Sequence, residues 1–136
     1  MVLLTLTTID PSPLRAFVQR PEAGAILSFE GCTRDNFAGK RVVELQYEAY
    51  ESMAKKELSA LIAAIQQEHP ETRIAVAHRL GIVPIGETSV LTVVSAPHRD
   101  EAYTVSRRVI DQLKLQIPIW KKEIYTQGAS WKENKA

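Results

Sequence analysis

Val42-Val43-Glu44-Leu45-Gln46-Tyr47-Glu48-Ala49-Tyr50, with Ser52 to Glu68 close behind it, decides the fold class. The first part alternates. Val43, Leu45, Tyr47 and Ala49 share one face of an extended chain, and Glu44, Gln46, Glu48 and Tyr50 share the other. From Ser52 the period changes. Ala54, Leu58, Leu61, Ile62 and Ile65 recur at helical spacing, and His69-Pro70 closes the run. A half-buried strand that feeds a long amphipathic helix needs a sheet and a helical layer around one core, so the expected class is α+β.

Upstream, Thr33 to Arg41 is polar and contains Asn36, Gly39 and Lys40, which marks a loop or long hairpin connection. Before it, Ala25-Ile26-Leu27-Ser28-Phe29, between Gly24 and Gly31, reads as a buried strand. Leu14, Phe17 and Val18 have helical spacing after Asp10-Pro11-Ser12-Pro13, and Pro21 ends that short helix. Leu4, Leu6 and Thr8 alternate with Thr5 and Thr7, the expected first strand.

Downstream, Ile74, Val76, His78 and Leu80 alternate, and Gly81 and Pro84-Ile85-Gly86 mark turns. Val90-Leu91-Thr92-Val93-Val94 is apolar on both faces, as a central strand is. Pro97-His98 then leads into a helix with Asp100 and Glu101 in its first turn and Ala102, Val105, Val109, Ile110, Leu113 and Ile117 on its apolar face. Pro118 forces an exit into Ile119 to Tyr125, and Gly128 allows a closing turn toward Trp131. With no repeat, low-complexity tract or linker, residues 1–136 are expected to form one domain with a mainly antiparallel or mixed sheet and packed helices.

The charge balance, 17 basic against 16 acidic residues for a formal net of +1, lacks the surplus of a nucleic-acid binder. Cys32 is the single cysteine, so neither an internal disulfide nor a cysteine zinc site is expected. The apolar start lacks the basic lead of a signal peptide, and no run is long enough to span a membrane. A cytoplasmic protein is therefore expected. No glycine-rich nucleotide motif, P-loop or paired-histidine motif is present, so no metal or cofactor is called for.

What the chain offers instead is cations where it bends. His98 and Arg99 stand at a helix N-terminus, which with its free N–H groups suits a phosphate or carboxylate; a capping histidine and a solvated arginine are the plainer alternative. Lys114 lies at the margin of the apolar stripe near the helix end. Strand alternation puts Lys121 and Glu123 on one face. A lysine on a packed face near other cations has a lowered pKa and can serve as nucleophile or proton carrier, against the alternative of a solvated surface. Arg34 follows a strand end, where functional side chains and plain loop arginines both occur. Cys32 reads as a small core residue, His78 as a satisfied core histidine, and Tyr47, Tyr50, Met53 and the two tryptophans as core or interface packing.

Phe29-Glu30-Gly31-Cys32-Thr33-Arg34, Tyr47-Glu48-Ala49-Tyr50 with Met53-Ala54, His78-Arg79-Leu80-Gly81, Ser95-Ala96-Pro97-His98-Arg99, Leu113-Lys114 and Pro118-Ile119-Trp120-Lys121-Lys122-Glu123 occur in that order. Together they resemble the molybdopterin synthase large (catalytic) subunit family, from about Gly24 to Trp131. The resemblance implies an α/β-hammerhead fold and a dimer of large subunits, each binding a small ubiquitin-like subunit at an outer end. The small subunit's C-terminal Gly-Gly thiocarboxylate would donate sulfur to cyclic pyranopterin monophosphate, building the molybdopterin dithiolene. It implies active-site roles for Lys114 and Lys121, with Glu123 orienting the latter, and substrate binding by Arg34, His98 and Arg99. The sequence stops soon after Trp131, so no tail folded over the site is expected. A non-catalytic module that binds a ubiquitin-like tail or an anionic ligand is the competing reading, and a purely structural dimer a further one.

Overall fold

The change of period falls where the sequence puts it. In the computed structural model, which describes residues 1–126 and 128–133, Lys40–Ala49 is a strand and Glu51–Glu68 a helix, with extended Tyr50 between them. In chain order the strands are β1 Val2–Thr5, β2 Ala25–Cys32, β3 Asn36–Phe37, β4 Lys40–Ala49, β5 Arg73–Arg79, β6 Gly81–Pro84, β7 Thr88–Ala96, β8 Ile119–Tyr125 and β9 Gly128–Glu133. The helices are α1 Ser12–Val18, α2 Glu51–Glu68 and α3 Arg99–Gln116.

The strands form two sheets. One has the order β1-β5-β7-β2, with β1 parallel to β5 and the other pairs antiparallel. The other runs β3-β4-β8-β9, all antiparallel, with β6 also paired to β4. This is the expected α+β class.

In the first sheet β5 and β7 are buried on both faces, which their near-continuous apolar runs require. Ile74, Val76, Val90 and Val94 face the larger core, with Leu58, Ile62 and Ile65 of α2 and Val105, Val109 and Leu113 of α3. Ala75, Ala77, Leu91 and Val93 face the smaller one, with Leu14 and Val18 of α1. A fully buried leucine or isoleucine contributes roughly 1.5–3 kcal/mol, so α2 is held by Leu58 and Ile65, both 0% exposed.

Four local expectations are corrected. β2 is not a buried strand: among the described residues it is an edge strand, paired only to β7, and Ser28, Phe29 and Glu30 are exposed. β1 stops at Thr5, because the Thr7 N–H turns back to the Thr5 hydroxyl at 3.2 Å, and Leu6 is left exposed. Gly81 and Pro84, read as turn residues, are the ends of a strand, β6, paired to β4, and the turn is confined to Ile85 and Gly86. On β4 the pairing with β8 shifts between Val42 and Glu44, so Val42 turns inward and Val43 outward. The inward set is Val42, Leu45 and Tyr47.

Candidate active site

β4 and β8 build the first wall. Their register sets Tyr47 opposite Lys121 and Leu45 opposite Glu123. Alternation on β8 turns Ile119, Lys121 and Glu123 inward, with Lys121 6% and Glu123 2% exposed. The last turn of α3 brings Lys114, a cation at the helix end whose dipole favours one, and the chain leaves the helix before Pro118. The end of β2 and the residues after it close the remaining side.

Gly31 makes that closure possible. A Cβ there would lie 2.7 Å from Val90 Cγ1, so only glycine lets β2 run this close to β7. The resulting pocket is lined by Arg34, Tyr47, Ser89, Lys114, Lys121 and Glu123 among others, and encloses about 60 Å³. That suits the end of a narrow chain and is too small for a fused ring system, since a dry cavity of about 150 Å³ holds one benzene. A broader, more apolar groove of about 510 Å³ runs between β2 and α3, past Leu27, Phe29, Tyr103 and Ile110. Lys114 lines both the pocket and the groove.

The electrostatics single out the same residue. Burial, and secondarily the charge of Lys121, lower the Lys114 pKa to about 8. Glu123, the acidic group among the described lining residues, accepts a hydrogen bond from the Tyr125 hydroxyl. Tyr47 donates to Ser89 Oγ at 3.4 Å, Ser89 donates to the Gly31 carbonyl at 3.1 Å, and burial raises the Tyr47 pKa. Among the described residues no three His, Cys, Asp or Glu side chains gather as metal ligands do.

Of the residues singled out in the sequence, Arg34, Lys114, Lys121 and Glu123 meet in one pocket, with Arg34 exposed at its rim. His98 and Arg99 do not join them. They lie exposed at the start of α3, in a separate hollow with Gly24, Pro97 and Asp100. At 1.5 Å rise per residue, Arg99 and Lys114 are about 22 Å apart along the helix. Cys32 is not a core residue: it is exposed and lines the pocket, with Sγ 3.9 Å from Thr88 Oγ1. Tyr50, Met53, Trp120 and Trp131 are exposed, whereas Tyr47 is buried. The sequence reading missed the pocket positions of Tyr47 and Ser89. Their signal is cross-strand, and only the β4–β8 and β2–β7 registers reveal it.

The fold and site define an α+β domain in which two sheets and a helix end enclose a lysine-centred cationic pocket. The chain belongs to the MoaE protein family, whose model matches residues 4–116. It is 55% identical over 113 residues to the molybdopterin synthase catalytic subunit of Oryza sativa subsp. indica, covering 83% of this chain and 58% of that protein. It is 42% identical to the Homo sapiens protein of the same name, covering 99% of this chain and 72% of that one. The chain spans about three-fifths of the length of the plant relatives it matches. Its fold is similar to the crystal structure of molybdopterin synthase from Staphylococcus aureus, with a TM-score of 0.92, 35% identity and coverage of 96% and 95% of the two chains. No helix among the described residues is long and apolar enough to cross a membrane.

Proposed function

We propose that this chain is the catalytic subunit of a molybdopterin synthase. In this reading it moves sulfur from the thiocarboxylated Gly-Gly terminus of a small ubiquitin-like subunit to cyclic pyranopterin monophosphate. It works in the cytoplasm, as one domain over residues 1–136, in a dimer with one small subunit at each outer end. The observation that carries the reading is the position of Lys114, where a narrow cationic pocket meets a broad groove. An extended Gly-Gly tail, which has no side chains, suits the pocket, and the pterin approaches from the open side.

Both reactants are anions, so the cationic lining attracts them and stabilises charge that builds during transfer. Lys114 acts in proton transfer or in transient attack on the thioacyl carbon. Lys121 stabilises developing negative charge and holds the tail, and Glu123 orients it. Arg34 at the rim pairs with the pterin phosphate. His98 and Arg99 can serve the same phosphate only from a second copy, given the 22 Å or so of helix that separates them from Lys114 in their own chain.

The test is reconstitution from the purified chain, thiocarboxylated small subunit and cyclic pyranopterin monophosphate. Dithiolene product is expected from wild type and not from Lys114→Ala, with the variant folded and still bound to the small subunit. A wild-type chain that binds the small subunit stably yet makes no product is instead a binding module.

A further inference from the structure

His78 is 1% exposed, and its ring Nδ1 lies 2.9 Å from the Arg79 carbonyl oxygen. A carbonyl only accepts, so Nδ1 carries the hydrogen, and in a neutral ring the lone pair is then on Nε2. Burial keeps the ring neutral, lowering its pKa to about 4. On β5, His78 shares the face of Ile74 and Val76, which pack into the core containing Val109 and Leu113 of α3, and it stands opposite Val90. Tyr47 lines the pocket that also holds Lys114, and the Lys114 charge acts on the imidazole behind it. The Tyr47 ring meets the imidazole edge-on, with centroids 4.9 Å apart and planes at 69°. The Tyr47 hydroxyl hydrogen is directed to Ser89, and the His78 Nδ1 hydrogen to Arg79.

Building on the synthase reading, we propose that His78 is a positioning residue for Lys114. Its locked neutral tautomer presents Nε2 as an acceptor that holds the Lys114 amine at the inner end of the pocket, while Tyr47 fixes the plane of the ring. The imidazole orients the amine and does not relay its proton, because so weak a base takes no proton from lysine near neutral pH. The titratable and charged groups around Lys114 are Lys121 and Glu123 on β8, Tyr47 on β4, Cys32 and Arg34 at and after the end of β2, Tyr103, Arg107 and Asp111 on α3, and His78 on β5. Among these, His78 is a neutral acceptor behind the pocket wall that Tyr47 forms. Removing it leaves the Lys114 ammonium less well solvated.

The test compares wild type, His78→Phe and His78→Gln as full chains. Lys114 is titrated through the pH dependence of its acetylation by acetic anhydride, read by mass spectrometry, and turnover is measured in the reconstituted reaction. Phenylalanine fills the ring volume without an acceptor. Its expected effect is a fall of about one unit in the Lys114 pKa and, at a pH where the amine is free in both proteins, a loss of about tenfold in kcat, with KM for the small subunit unchanged. Glutamine supplies an acceptor oxygen and is expected to restore both. An unchanged Lys114 titration in His78→Phe overturns the proposal, as does a folded His78→Gln variant whose Lys114 titrates below the wild-type value. If His78→Phe fails to fold, His78→Leu, which also lacks an acceptor, takes its place, and an unchanged Lys114 titration in that variant overturns the proposal. If wild type makes no product, the synthase reading falls, and the Lys114 titration still judges His78.

Discussion

With its pKa lowered to about 8, Lys114 carries about a tenth of its amine unprotonated at pH 7. At an ordinary lysine pKa that fraction would be roughly three in ten thousand. If the free amine is the working form, turnover must rise as pH increases and level off above about 8. A profile flat from pH 6 to 8 in the reconstituted reaction excludes both attack and proton acceptance by Lys114. Glu123 and Lys121 allow a test of stability. Glu123→Leu takes the buried carboxylate away from two lysines and is expected to lower stability by about 1–3 kcal/mol. Lys121→Met/Glu123→Leu, which removes a charge of each sign, should cost less than the single change. Chemical denaturation of the three proteins decides it, and a double variant less stable than Glu123→Leu refutes the charge argument. The sequence revealed the shared face of Lys121 and Glu123, because alternation is a one-strand property. It could not place Tyr47 against Lys121, since cross-strand register is written in two distant segments.

At the scale of elements, the switch from β4 to α2 was legible because composition and period change together at Tyr50. The bulge beside Val43 was not, because one extra residue leaves an alternating run looking intact. It yields a sharp contrast between neighbours. Val42 is 4% exposed and Val43 46%. Val42→Ala is expected to destabilise by about 2 kcal/mol, and Val43→Ala by no more than about 0.5 kcal/mol. Equal losses in denaturant unfolding would place the register elsewhere. β2 misled for a different reason: its apolar run suggested burial, but as an edge strand it keeps one side open. Its far end is the sensitive part. Gly31→Ala must push β2 away from the stiff, β-branched Val90, shifting Cys32 and Arg34 at the pocket. Activity in the reconstituted reaction should fall several-fold more than stability predicts. Wild-type turnover from that variant would show that the close approach does not set the site.

The whole molecule poses a problem that no single element solves. His98 and Arg99 were read as substrate-binding groups, yet α3 holds them about 22 Å from Lys114, and a molecule the size of a pterin phosphate cannot bridge that distance. The sequence could not expose this, because helix length sets the separation and only assembly can undo it. In a two-fold dimer, the start of α3 in one copy can meet the end of α3 in the other. Mixing two inactive variants tests that arrangement. One carries Lys114→Ala and the other Arg99→Ala, and they are refolded together in equal amounts. If Arg99 serves the partner's pocket, about half the dimers are mixed and each has one intact site. Activity then returns to about a quarter of wild type. If Arg99 acts within its own chain, every site in every dimer lacks one group and none returns. Recovery would put both ends of α3 to work in one reaction, and its absence would confine the site to the pocket around Lys114.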